Sequence, residues 1–167
     1  LSDNTYQIFS RWYGDVRLVQ YGVLAPPPTE PQTPLDDIRF GEHITLIGYS
    51  ITGDLRAAHR AGSVIGVTLY WTTDAALDTR YKVFVQLLGP DGRLIAQHDS
   101  EPANNRAFTT DWTPGELVID SHGIRVPPGL APGDYTLITG LYDGENPTAR
   151  LPVRENDHLI LERVNIQ

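Results

Sequence analysis

The chain has 167 residues, a formal charge of −8, 40% hydrophobic residues, 15 Gly and 13 Pro, and neither Cys nor Met. The apolar fraction excludes a disordered chain, and the missing Cys excludes a disulfide framework, a thiolate-held zinc and thiol catalysis. The acidic balance and the scatter of Lys and Arg argue against a nucleic-acid surface.

In chain order, residues 1–24 form an aromatic and β-branched lead-in, with Tyr6, Phe9, Trp12 and Tyr13 followed by Val16 to Leu24. The lead-in has no signal-peptide pattern, and without Met the sequence is expected to be either processed or, the reading preferred, a piece of a longer protein. Ala25-Pro-Pro-Pro-Thr-Glu-Pro-Gln-Thr-Pro34 follows. Proline fixes φ and lacks an amide donor, so residues 25–34 are expected as an extended spacer outside any sheet ladder. The main domain is then expected over 35–167. Val16 to Val23 weakly echoes Ile44 to Ile51, as strands of similar composition do.

The main domain reads as strands separated by turns. Ile44 to Ile51, Val64 to Thr72, Tyr81 to Leu88, Arg93 to Gln97, Leu117 to Val126, Tyr135 to Tyr142 and His158 to Ile166 are the strand segments. Gly89-Pro-Asp-Gly92 predicts a tight hairpin, because Pro presets φ and the last Gly accepts positive φ. Room for a helical turn is expected only at Thr73 to Thr79 and Asp99 to Thr109. Alternation puts Tyr81, Val83, Val85 and Leu87 on one face and Lys82 and Gln86 on the other. It likewise separates Tyr135, Leu137, Thr139 and Leu141 from Thr136, Ile138, Gly140 and Tyr142. Seven to nine strands without crossover helices predict an all-β antiparallel sandwich, jelly-roll or immunoglobulin-like.

Catalytic signatures are absent: no nucleophile elbow, phosphate-binding loop or zinc-protease helix occurs. Asp120 and His122 share a strand face with apolar neighbours, which makes them either a hydrogen-bonded pair at the core edge or part of a site. A Ca²⁺ role is suggested for Asp120; no other cofactor is expected. Trp71 ends an apolar run and reads as core, whereas Trp112 lies in a loop sequence where exposure and burial are equally expected. Sugar rings stack their C–H faces on aromatics while carboxylates take the hydroxyls. On that chemistry Trp112 and Tyr142 are the expected platforms, with Asp99, Asp120 and Asp143 as hydroxyl or Ca²⁺ ligands.

Several small motifs occur in a familiar order. Phe40-Gly41, Val67-Thr-Leu-Tyr-Trp71, Tyr81-Lys-Val-Phe-Val-Gln-Leu87, Ala96-Gln-His-Asp99 and Thr110-Asp-Trp112 come first. Pro132-Gly-Asp-Tyr135 and Gly140-Leu-Tyr142 follow. Over about residues 38–167 the chain resembles the soluble C-terminal β-sandwich of bacterial polytopic membrane glycosyltransferases of the protein-mannosyltransferase-like (GT-C) class. The resemblance implies a non-catalytic accessory domain of a transferase, with a membrane-embedded parent chain and a place on the extracytoplasmic face. It also implies carbohydrate or glycan acceptor as partner. The alternatives are a structural or protein-interaction sandwich without a ligand, and a free-standing carbohydrate-active hydrolase.

Overall fold

The computed structural model describes residues 5–23 and 25–167; residues 1–4 and 24 of the lead-in lie outside it. Two antiparallel sheets pack face to face. One has four strands in the order β3 (Thr33–Phe40), β4 (Ile44–Thr52), β5 (Val64–Thr73) and β8 (Val118–Arg125). The other centres on β6 (Tyr81–Leu88) and β9 (Gly133–Asp143), with β7 (Leu94–Ser100) beside β6. On the other edge of β9 lie β10 (Asn146–Arg150) and β11 (Leu159–Ile166). A separate hairpin of β1 (Thr5–Tyr13) and β2 (Val16–Val23) precedes them. The expected antiparallel sandwich is therefore present, with eleven strands among the described residues.

The period-two pattern supplies the core. Val67, Leu69 and Trp71 of β5 face Val83, Val85 and Leu87 of β6 and Leu137 and Leu141 of β9, all buried. Phe40 meets Trp71 edge to face, with ring centroids 5.3 Å apart. The β6–β7 hairpin forms at the predicted turn: the Gly92 amide donates to the Gly89 carbonyl at 2.9 Å, and Gly92 has φ +75°.

Two local expectations are corrected. Thr33 and Pro34 pair with Tyr49 and Gly48, so the ladder reaches into the Pro-rich run. Pro34 is tolerated there because β3 is an edge strand. Parts of the rest of that run touch the four-stranded sheet: Pro31 sits on Gly48, where a Cβ would meet it at 2.6 Å, and Tyr70 Oη donates to the Pro28 carbonyl at 2.7 Å. This explains why β5 is buried on both faces and reads as a nearly continuous apolar run.

Second, a helix, α1 (Leu55–Ala61), forms where none was expected, and Thr73 to Thr79 forms none. Its signals are local: Asp54 Oδ1 accepts the Arg56 amide at 2.8 Å, and Gly62 closes the end at φ +64°. The lead-in forms a β-hairpin. It leaves Trp12, Tyr13, Val16, Leu18 and Val23 exposed, while Arg17 lies 5.8 Å over the Trp12 ring.

Candidate functional site on the five-stranded sheet

The outward side chains of β6, β7, β9 and β10 form one surface. Register places Lys82 beside Tyr142, Phe84 between Asp99 and Gly140, and Gln86 between Gln97 and Ile138. Arg150 of β10 lies beside Tyr142.

Phe84 is the foundation of this surface. It points away from the core yet is fully buried. Its ring lies across Gly140, where any Cβ would collide with it. The Arg150 guanidinium stacks 4.5 Å from the Phe84 centroid, and the Tyr142 ring stacks at 6.3 Å with 26° between planes. Arg150 Nη1 also reaches Asp157 Oδ2 at 3.2 Å, which fixes the guanidinium over the ring.

Around this aromatic step stand hydrogen-bonding groups. Tyr142 Oη donates to Asp99 Oδ2 at 3.3 Å. Gln86 Nε2 donates to Gln97 Oε1 at 3.1 Å. That bond leaves the Gln86 carbonyl and the Gln97 amino group without protein partners among the described residues. Burial raises the Asp99 carboxyl above the usual carboxylate range, opposed chiefly by the Tyr142 hydrogen bond. Burial, then the Asp99 charge, pushes the Tyr142 phenol up to about 12. The surface therefore offers a phenol that keeps its proton, a carboxylate, two amides and two basic side chains.

Beyond Lys82 the surface runs into a cleft of about 560 Å³ lined by Arg80, Glu101, Asp143 and Glu145. Arg80 is held there by a bidentate pair with Glu101, both N–O distances 2.6 Å, and by the Phe108 ring 4.0 Å beneath it. Asp143 Oδ1 accepts the Glu145 amide at 2.8 Å and shapes the β9–β10 turn.

Of the five residues singled out from the sequence, Tyr142 and Asp99 meet directly, and Asp143 stands in the adjoining cleft. Trp112 does not join them. It is only 6% exposed, packs in the core and donates from Nε1 to the Ala107 carbonyl at 3.0 Å, so it presents no platform. Asp120 is also internal, at 0% exposure. Its Oδ1 accepts the Ala103 amide at 2.9 Å, and its Oδ2 pairs with His122 Nε2 at 2.8 Å. Asp120 is thus enclosed in the sandwich, away from the outer surface where Tyr142 and Asp99 meet. No group of three or more His, Asp or Glu among the described residues is arranged to hold a metal.

The residues that complete the surface are Phe84, Gln86, Gln97, Lys82 and Arg150. Alternation along Tyr81 to Leu88 already placed Lys82 and Gln86 outward; the contribution of β10 carried no comparable signal.

No family model and no curated protein matches the chain. Among solved structures, the C-terminal domain of wzt aligns over 83% of this chain and 86% of that one, at 17% identity and a TM-score of 0.49. No helix among the described residues is long and apolar enough to cross a membrane. The GT-C resemblance is corrected: the structural likeness is to a wzt domain, and neither a family model nor a curated protein joins the chain to membrane glycosyltransferases. With it fall the transferase parent, the membrane-embedded partner chain and the extracytoplasmic placement that rested on it.

Proposed function

We propose that the outer face of the five-stranded sheet is a saccharide-binding surface. The observation that carries this reading is the Tyr142–Asp99 pair seated on Phe84 and bordered by Gln86 and Gln97. A pyranose ring has an apolar C–H face and an equatorial rim of hydroxyls. Its face suits the half-buried Tyr142 ring, and its hydroxyls suit the planar amide and carboxylate groups beside it. The register of three paired strands spaces those groups, so little ordering entropy is lost on binding. Lys82 and Arg150 extend the surface toward acidic substituents of a glycan.

The test is an NMR titration of ¹⁵N-labelled protein with neutral, amino and acidic saccharides. Shifts are expected at Gln86, Gln97, Asp99 and Tyr142, saturating with ligand. Tyr142→Ala and Gln86→Ala are expected to weaken binding at least about tenfold, the cost of 1.4 kcal/mol. Absence of shifts with every saccharide class, or shifts confined to the four-stranded sheet, would rule the reading out.

A further inference from the structure

The strand that carries Gln97 and Asp99 outward carries His98 inward between them. His98 Nδ1 lies 2.9 Å from His122 Nδ1 on β8, the edge strand of the opposite sheet. His122 Nε2 continues to the buried Asp120, and Asp120 to the Ala103 amide. The His98–His122 contact is therefore a tie between the two sheets, anchored on a carboxylate with no exposure.

The far anchor is built at a cost. Ala103, Asn104 and Asn105 all have positive φ, at 52°, 60° and 63°. Left-handed conformations of non-glycine residues cost of order 1–3 kcal/mol each and persist only where the surroundings enforce them. Here the enforced turn delivers the Ala103 amide to Asp120, while Glu101 N donates to Asn105 Oδ1 at 3.0 Å.

Only one hydrogen fits between two Nδ1 atoms at this distance. Either ring can supply it: His122 as a cation beside Asp120 can donate to a neutral His98, or His98 can donate to a neutral His122. The chain accommodates one extra proton. A second places N–H groups and positive charges against each other, and the rings must part. His98 is the member held neutral, because burial and the neighbouring His122 both oppose its protonation.

The groups facing His98 are few. Asp120 and His122 face it from β8; Asp99 and Lys82 stand on the outer side of the sheet with Tyr142 and Arg150. In the adjoining turn, Glu101 is neutralised by Arg80. Arg11, on the β1 strand that packs along β8, lies over the Tyr13 ring. Burial first, then the His122 charge, depress His98 to about 4, against the attraction of Asp120.

We infer that the Asp120–His122–His98 chain is a proton-operated tie that holds β7 in place beneath the saccharide surface and releases it in acid. Asp120 and His122 are positioning residues acting through His98, and Gln97 and Asp99 are the side chains whose placement depends on the tie. This inference rests on the saccharide reading for its consequence, but the tie itself can be observed without any ligand.

The experiment follows histidine ring nitrogens and β7 amides by NMR from pH 8 to 3, on the wild-type protein and His98→Gln. Glutamine keeps a donor and an acceptor for His122 and cannot titrate. In the wild type, the His98 ring should take up its proton well below the ordinary histidine range, with Gln97–Ser100 amides moving and losing exchange protection in the same step. In His98→Gln, the amides should stay fixed over that range. Saccharide affinity should fall at least about fivefold across the wild-type transition and much less in the variant. An independent His98 titration near 6.5 with unmoved β7 amides would overturn the tie. So would an undiminished acid loss of affinity in His98→Gln, which would assign the effect to Asp99 protonation. If His98→Gln fails to fold, the wild-type ring and amide titrations alone decide. Failure of all saccharides at every pH would remove the saccharide reading and leave the ligand-free result standing.

Discussion

The outer faces of the two sheets receive opposite treatment. On the four-stranded sheet, Ser50, Thr68, Tyr70 and Ser121 form a polar row, and the Pro-rich segment lies over part of it. Gln32 N donates to Ser50 Oγ, Tyr70 Oη to the Pro28 carbonyl, and Thr68 pairs with Ser121 at 3.0 Å. Each hydroxyl is satisfied by the chain itself, so little remains for a partner. On the five-stranded sheet the aromatic pair of Phe84 and Tyr142 is braced from the side by Arg150, and Gln86, Gln97 and Asp99 keep hydrogen-bonding capacity toward solvent. The comparison separates a face whose polar groups are satisfied by the chain itself from one whose polar groups stay open to solvent.

The strongest way to break that contrast is Phe84→Ala. Loss of a fully buried ring should cost about 3–5 kcal/mol in urea denaturation and abolish saccharide shifts together. A stable variant that still binds would show that Phe84 is no foundation.

Acid should act next most strongly, through His98. Its folded pKa lies below the ordinary value of 6.5, at about 4, so the unfolded chain takes the proton first. The stability held by the neutral ring is complete above pH 6.5 and is lost progressively as pH falls to about 4. The loss is roughly 3 kcal/mol for a shift of this size. Asp99, with its raised carboxyl, acts in the opposite sense, because the folded chain takes up its proton first. Denaturation midpoints from pH 7 to 4 measure the balance, and His98→Gln should flatten the curve.

Gly140→Ala comes third. The added methyl must displace the Phe84 ring, at a cost of about 1–3 kcal/mol. Tyr142 rests on that ring, so saccharide binding should weaken as well. Tyr70→Phe is the smallest and the most discriminating. It removes the bond to Pro28, about 1 kcal/mol on thermal or urea denaturation, and should leave saccharide affinity untouched because it alters the closed face. A Tyr70→Phe variant that lost saccharide binding would erase the distinction between the faces.

Much of the sandwich was legible because its signals are local or periodic. The Gly89 to Gly92 turn, the inward row Val83, Val85 and Leu87, and the shared face of Asp120 and His122 follow from φ preferences and a period of two. The missed α1 was also written locally, in Asp54 and Gly62 around an Ala-rich segment. The site was less legible because its contacts join distant segments. Tyr142 meets Asp99 across β6, 43 residues away in sequence, and Arg150 reaches Phe84 over Tyr142's edge of the sheet. Trp112 occupies a loop, and no periodicity foretold that its indole would fold back into the core and find the Ala107 carbonyl.

The contact between Pro28, Pro31 and the four-stranded sheet has a practical consequence for dissecting the protein. Composition alone invites a gene fragment that starts at Leu35, discarding the prolines as tether. Such a fragment would delete Thr33 and Pro34 from an edge strand and uncover the Tyr70 hydroxyl and the bare backbone at Gly48. A newly opened strand edge recruits other copies of itself, so the trimmed fragment should aggregate on expression. A boundary at Ala25 or earlier keeps the proline strap where it works as an integral wall of the domain.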